Sequence, residues 1–224
     1  HVIMSYTVTV YAKVKGDRDK LSLLYTRAQT LIVRVSAPAA LLLVVNADPL
    51  VSLMGASWSG SIPIFVWLAP YAFMRPLIED GFGLLWAIGE TRSTARVLGF
   101  QVAVALAAVP LGAWYLGVEG VAYAVGLTAL IGWIGVTWCL SAHIDLAHFR
   151  IFAAPVAAIG VSAIASYLIH PLFEFENLVA DLLGRTALTS LVYLSILWIV
   201  EKQYLLEILG EMREIMSADD PSAT

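Results

Sequence analysis

Pro63-Ile-Phe-Val-Trp-Leu-Ala-Pro-Tyr-Ala-Phe-Met-Arg-Pro-Leu-Ile-Glu-Asp-Gly-Phe-Gly-Leu-Leu-Trp-Ala-Ile-Gly89 is apolar and long, yet it carries Arg75, Glu79 and Asp80 near its middle. A helix that crosses a bilayer needs about 20 residues at about 1.5 Å of rise each, and this stretch supplies them. A charge at the bilayer centre costs about 2.5–3.5 kcal/mol on insertion scales, so three of them in one span require partners, water or a function. Pro70, Pro76, Gly81 and Gly83 are expected to interrupt the helix as well.

The rest of the chain has the same character. It is 60% hydrophobic and 13% charged, with a mean hydropathy of +0.82, whereas about 25% of residues are charged in soluble domains. The sequence therefore predicts an all-α, polytopic membrane helix bundle. The net charge of −4 says little about partners, because in such proteins the placement of Lys and Arg matters more than their sum. No nucleic-acid partner is expected. Cys139 is the single cysteine and lies in an apolar run; it can neither pair within the chain nor build a multi-cysteine metal site. No initiator Met and no signal-peptide pattern opens the sequence, so His1 reads as an internal position of a longer protein.

Residues 1–12 are apolar but too short to span, and read as the end of a truncated helix. Residues 13–30 gather Lys13, Lys15, Arg18, Lys20 and Arg27, with Leu21, Leu24, Tyr25 and Ala28 at helical spacing, a basic connector. Spans are expected at about 31–45, 61–89, 97–116, 121–140, 151–169 and 186–200, followed by a tail over 201–224. Phe175, Leu178, Val179, Leu182 and Leu183 fall at i, i+3, i+4, i+7 and i+8, which predicts a helix lying in the interface before the last span. The whole of 1–224 is thus one membrane domain of six transmembrane helices plus the truncated N-terminal helix. Basic residues divide by side: the connectors 13–30, 90–96 and 141–150 and the tail hold nearly all of those outside the spans, and the opposite loops hold only Arg185. The positive-inside rule then places the connectors and the C-terminus in the cytoplasm.

Depth separates the two arginines within spans. Arg34 is a few residues from the basic end and can snorkel to it. Arg75 lies about 13 residues from either end of its span, about 20 Å at helical rise, farther than its side chain reaches. Glu79, one turn on, is its simplest partner, whereas Asp80 points elsewhere on the helix and has no cation at i±3 or i±4. Pro76 cannot donate to the carbonyl of Ala72, and freed backbone beside charges is tolerated where it lines a cavity. The pattern favours a water-filled cavity with Arg75 as an anion contact and Glu79 or Asp80 as an ion-coupling or cavity contact; a closed Arg75–Glu79 pair with no further role competes with it. His143, Asp145 and His148 read as solvated loop residues, and no metal or cofactor is expected. No nucleophile or carboxylate pair stands on a sizeable extramembrane domain, so no enzyme is expected.

Five short stretches recur in a known order: Gly16-Asp-Arg-Asp-Lys-Leu-Ser-Leu-Leu-Tyr-Thr-Arg27 before a span, Ala37-Pro38 within it, Ala47-Asp-Pro-Leu-Val-Ser-Leu-Met-Gly-Ala-Ser-Trp58 outside, Leu85-Trp-Ala-Ile-Gly89 at a span's end, and Gly117-Val-Glu-Gly-Val-Ala-Tyr-Ala124 opening the next crossing. Over about residues 10–170 this order resembles the C-terminal half of the bacterial polysaccharide and oligosaccharide-lipid (O-antigen type) flippases, members of the multidrug/oligosaccharidyl-lipid/polysaccharide exporter superfamily. The resemblance implies the second bundle of a two-bundle transporter in the bacterial inner membrane, working by alternating access with the N-terminal bundle missing here. It implies a lipid-linked oligosaccharide as cargo, in O-antigen, capsule or exopolysaccharide biosynthesis. Arg75, with Arg34, is then expected to hold diphosphate or acidic sugar, and Glu79 and Asp80 to tune or couple transport. A small-molecule exporter of the same superfamily, or a membrane-bound glycan polymerase, ligase or acyltransferase, are the alternatives.

Overall fold

Asp17 starts the first long helix by accepting a hydrogen bond from the backbone N–H of Lys20 at 3.1 Å. That bond satisfies one of the orphan amides of the first turn and holds the Asp17 carboxyl below the usual carboxylate range. The computed structural model describes residues 2–169 and 177–218, and all their regular structure is helical. In order these are α1 (Val2–Lys13), α2 (Arg18–Val45), α3 (Ala47–Met54), a 3-10 turn (Ala56–Ser61), α4 (Ile62–Ala87), α5 (Thr91–Ser141), α6 (His148–Ile169) and α7 (Leu178–Ala218). Five segments are long and apolar enough to cross a membrane. The chain is a multi-pass helical membrane protein.

Three elements bear on the expected spans. First, α4 runs unbroken through Pro70, Pro76, Gly81 and Gly83. Prolines are tolerated in membrane helices where neighbouring helices hold the segment, and α4 is packed between α2 and α5. Second, the spans expected at 97–116 and 121–140 lie in the two helices that make up α5, which meet at Gly117, where φ is 63° and ψ −144°. Only glycine takes up that conformation readily. The two halves then lie antiparallel, for Gly112 sits against Gly120, Gln101 against Gly132, and Val97 against Gly135. A Cβ on Gly112 would stand 2.3 Å from the carbonyl oxygen of Gly120, so the hairpin needs small residues there, as close helix pairs in bilayers do.

Third, the last span starts at Leu178, not near Thr186. Leu178, Val179, Leu182 and Leu183 form the first turns of α7 instead of a separate interfacial helix, and the membrane-length segment runs Leu178–Lys202. Asp181 and Arg185 pair at i,i+4 with an N–O distance of 3.0 Å, so the helix absorbs both charges and continues. Phe175 lies outside the described residues.

The packing places α4 in the centre. It lies between α2 and the α5 hairpin, α1 leans on its second half, and α6 and α7 pack on the other side of α2. Two apolar clusters result. Tyr11, Tyr25, Phe82, Leu85, Val136 and Leu140 join α1, α2, α4 and α5, while Val33, Ala37, Leu77, Ile151, Ala158 and Tyr193 join α2, α4, α6 and α7. Within a bilayer such contacts hold by close packing more than by exclusion of water.

Candidate functional site

On α4 the exposed residues Ala72, Arg75 and Trp86 and the half-buried Glu79 share one stripe at 3.6 residues per turn. A groove of about 420 Å³ flanks the stripe on the α2 side, with Leu31, Val35, Ala39, Ala72 and Pro76 in its wall. A second groove, of about 330 Å³, flanks it on the α5 side and is lined by Tyr71, Arg75, Ile78, Gln101 and Thr128. Gln101 also donates to the carbonyl of Thr128 at 2.9 Å and so ties the two halves of α5 together at the groove floor.

Arg75 and Glu79 meet on this stripe. The guanidinium Nε and Nη2 both reach Glu79 Oε1 at 2.8 Å, and the two side chains stay 48% and 44% exposed. Glu79 Oε2 and Arg75 Nη1 take no further partner among the described residues. The pair is therefore local, open and only half used, with Arg75 in the wall of the α5-side groove and Glu79 half-exposed beside it.

Asp80 turns the opposite way. It is buried where α1, α2 and α4 meet, and its carboxylate accepts from Tyr11 Oη at 3.2 and 3.3 Å and from Gln29 Nε2 at 3.0 Å. Asp80 thus belongs to the packing that holds α4 in place, one residue away from a carboxylate that faces the open stripe.

Arg34 departs furthest from its sequence reading. Instead of snorkelling, its side chain is 5% exposed and points at α7, where Nε and Nη2 grip both carboxylate oxygens of Glu201. Nη1 donates to the carbonyl of Thr30 at 2.7 Å, and Tyr193 Oη donates to the carbonyl of Arg34 at 3.4 Å. The structure brings Arg75 and Glu79 together, and sends Arg34 and Asp80 to separate places in the bundle. In the loop after α5, Asp145 pairs with Arg18 at 2.9 Å and His143 stands 3.6 Å from Glu90; the side chain of His148 lies outside the described residues.

No protein-family model matches the chain, and no curated protein matches it. Among solved structures, the lipid II flippase MurJ in its inward closed conformation aligns with a TM-score of 0.75. The chain shares the fold of part of MurJ. The alignment takes in 89% of this chain and 43% of MurJ at 14% identity, so the chain spans less than half the length of that protein. At that identity the likeness concerns the fold.

Sequence reasoning missed Glu201, Tyr11 and Gln29, the residues that engage the other charges. Glu201 closes an apolar run just before Lys202, so it reads as the span's polar edge. The available signal was the arginine in α2: a guanidinium within a span calls for an acid.

Proposed function

We propose that this chain is one bundle of an alternating-access transporter that flips lipid-diphosphate-linked oligosaccharide across the bacterial cytoplasmic membrane, in the biosynthesis of O-antigen, capsule or exopolysaccharide. In this reading α2, α4, the two halves of α5, α6 and the first part of α7 make six crossings, with the basic connectors and the C-terminus in the cytoplasm. A second bundle faces the uncovered stripe of α4, and the grooves beside it form half of a cavity. Its partners are the bilayer and the lipid-linked glycan.

One observation carries the proposal: a half-exposed Arg75–Glu79 pair at mid-helix, beside two open grooves. A flippase must offer an anionic headgroup a place in the bilayer interior that water can also reach. The free edge of Arg75 suits diphosphate, because a guanidinium presents paired donors that match phosphate oxygens. Glu79 acts as the internal substitute that holds Arg75 between cargoes and tunes or couples the cycle, while Asp80 supports the cavity wall from behind. Arg34 reaches cargo only when its pair with Glu201 opens, so the first anion contact falls to Arg75.

The fold shared with part of MurJ, a lipid II flippase, supports the class of cargo. Surface glycan measured in cells that express full-length Arg75→Ala tests the role directly. Export is expected to fail at normal protein level, and normal export at that level would remove Arg75 from the cargo path.

A further inference from the structure

The chain of α7 leaves helical geometry at Glu201, where φ is −126° and ψ 16°. A break in a helix has an identifiable cause: proline, a glycine or serine pair, a π-bulge, or a side chain or water drawn into the hydrogen-bond ladder. Residues 196–209 contain no proline, glycine or serine. The break in α5 has its glycine at position 117. The break in α7 falls on the residue that forms the ion pair with Arg34.

Both carboxylate oxygens of Glu201 are held by Arg34, and Arg34 is itself fixed on α2 through its bond to the Thr30 carbonyl and the bond from Tyr193 to its own carbonyl. The site is nearly closed to solvent, at 5% and 12% exposure of the two side chains. Leaving a charge buried without its partner costs more than the one helical hydrogen bond that a bend gives up. The backbone at 201 therefore yields to the pair and not the reverse.

We infer that the Arg34–Glu201 pair is a lock that sets the direction in which the C-terminal helix, residues 202–218, leaves the last membrane-length segment. That helix carries Leu205, Ile208, Leu209, Met212 and Ile215 at helical spacing, an amphipathic pattern, so its heading decides whether the apolar stripe can lie along a membrane surface. With the pair closed, the helix turns away from the line of the span. With the pair open, α7 runs straight on. This holds whatever the chain transports.

Pulsed electron paramagnetic resonance on the full-length protein reads the bend, with spin labels at Leu191→Cys and Arg213→Cys in a Cys139→Ser background. A straight helix sets these positions about 33 Å apart, and the locked protein is expected to give a shorter distance. Arg34→Ala alone leaves a buried carboxylate stranded, so the variant of choice is Arg34→Met/Glu201→Leu, which removes both charges at similar volume, a change that other buried pairs tolerate. Its distance is expected to lengthen to the straight-helix value, and the reversed pair Arg34→Glu/Glu201→Arg is expected to restore the short one. Arg34→Leu/Glu201→Met, which also removes both charges, serves as a second variant with the same expected lengthening. A bend unchanged in both charge-removing variants, or a native distance already at the straight-helix value, would overturn the lock.

Discussion

Arg75 with Glu79 and Arg34 with Glu201 are chemically the same pair in two surroundings. The first joins neighbours one turn apart on α4 and leaves the side chains 48% and 44% exposed; the second joins α2 to α7 across 167 positions and leaves them 5% and 12% exposed. A local pair forms wherever the helix forms and opens at little cost, because water and other charges can replace either partner. A distant, buried pair exists only in the assembled bundle, and once made it has no substitute. The difference predicts opposite behaviour: Arg34–Glu201 should hold α7 to α2, and Arg75–Glu79 should exchange partners.

The largest effect that can break this comparison is loss of Arg34. Arg34→Ala is expected to destabilise the bundle by about 3–5 kcal/mol, since it leaves the Glu201 carboxylate buried without its partner. Thermal unfolding in detergent measures it, and Arg34→Met/Glu201→Leu should unfold close to the native midpoint. An Arg34→Ala protein as stable as the native one would show that water reaches Glu201 and that the two pairs belong to one class.

Tyr11→Phe comes next and sharpens the comparison, because Asp80 is adjacent to Glu79 in sequence yet sits among buried partners. The variant keeps the ring in its apolar cluster and removes only the hydroxyl that donates to both carboxylate oxygens of Asp80. A hydrogen bond to a charged group contributes about 1.5–3 kcal/mol, so the unfolding midpoint should fall by less than for Arg34→Ala and clearly more than for a surface change. No shift would place Asp80 with Glu79 among the replaceable contacts.

What could be read from sequence follows the same division. Long apolar segments and the i,i+4 relation of Arg75 to Glu79 depend on a few consecutive residues, so hydropathy and helical spacing were enough for both. The partners of Arg34 and Asp80 depend on how α2 packs against α7 and how α1 packs against α4, and nothing in the local pattern encodes that. Depth was also a poor guide to exposure. Arg75 lies at mid-helix but on an uncovered stripe, whereas Arg34 lies nearer an end but beneath α7, because burial in a bundle is set by neighbouring helices and not by distance along one's own. The continuity of α4 through its prolines and the start of α7 at Leu178 were hidden for a related reason: packing between α2 and α5 holds the first, and the Asp181–Arg185 pair neutralises the second.

The smallest expected change in stability belongs to Arg75→Ala, and its smallness is the point. A half-exposed i,i+4 pair contributes less than about 1 kcal/mol, and Glu79, 44% exposed, can be solvated once released. Unfolding in detergent should therefore match the native protein within that margin while glycan export is lost. Arg75→Lys divides charge from shape: it keeps the positive charge and the tie to Glu79 but gives up the planar fork that grips two phosphate oxygens, so it should leave stability unchanged and restore export only in part. If Arg75→Ala instead destabilises as strongly as Arg34→Ala, the stripe on α4 is covered in the working protein, and the open, exchangeable character assigned to Arg75–Glu79 is lost with it.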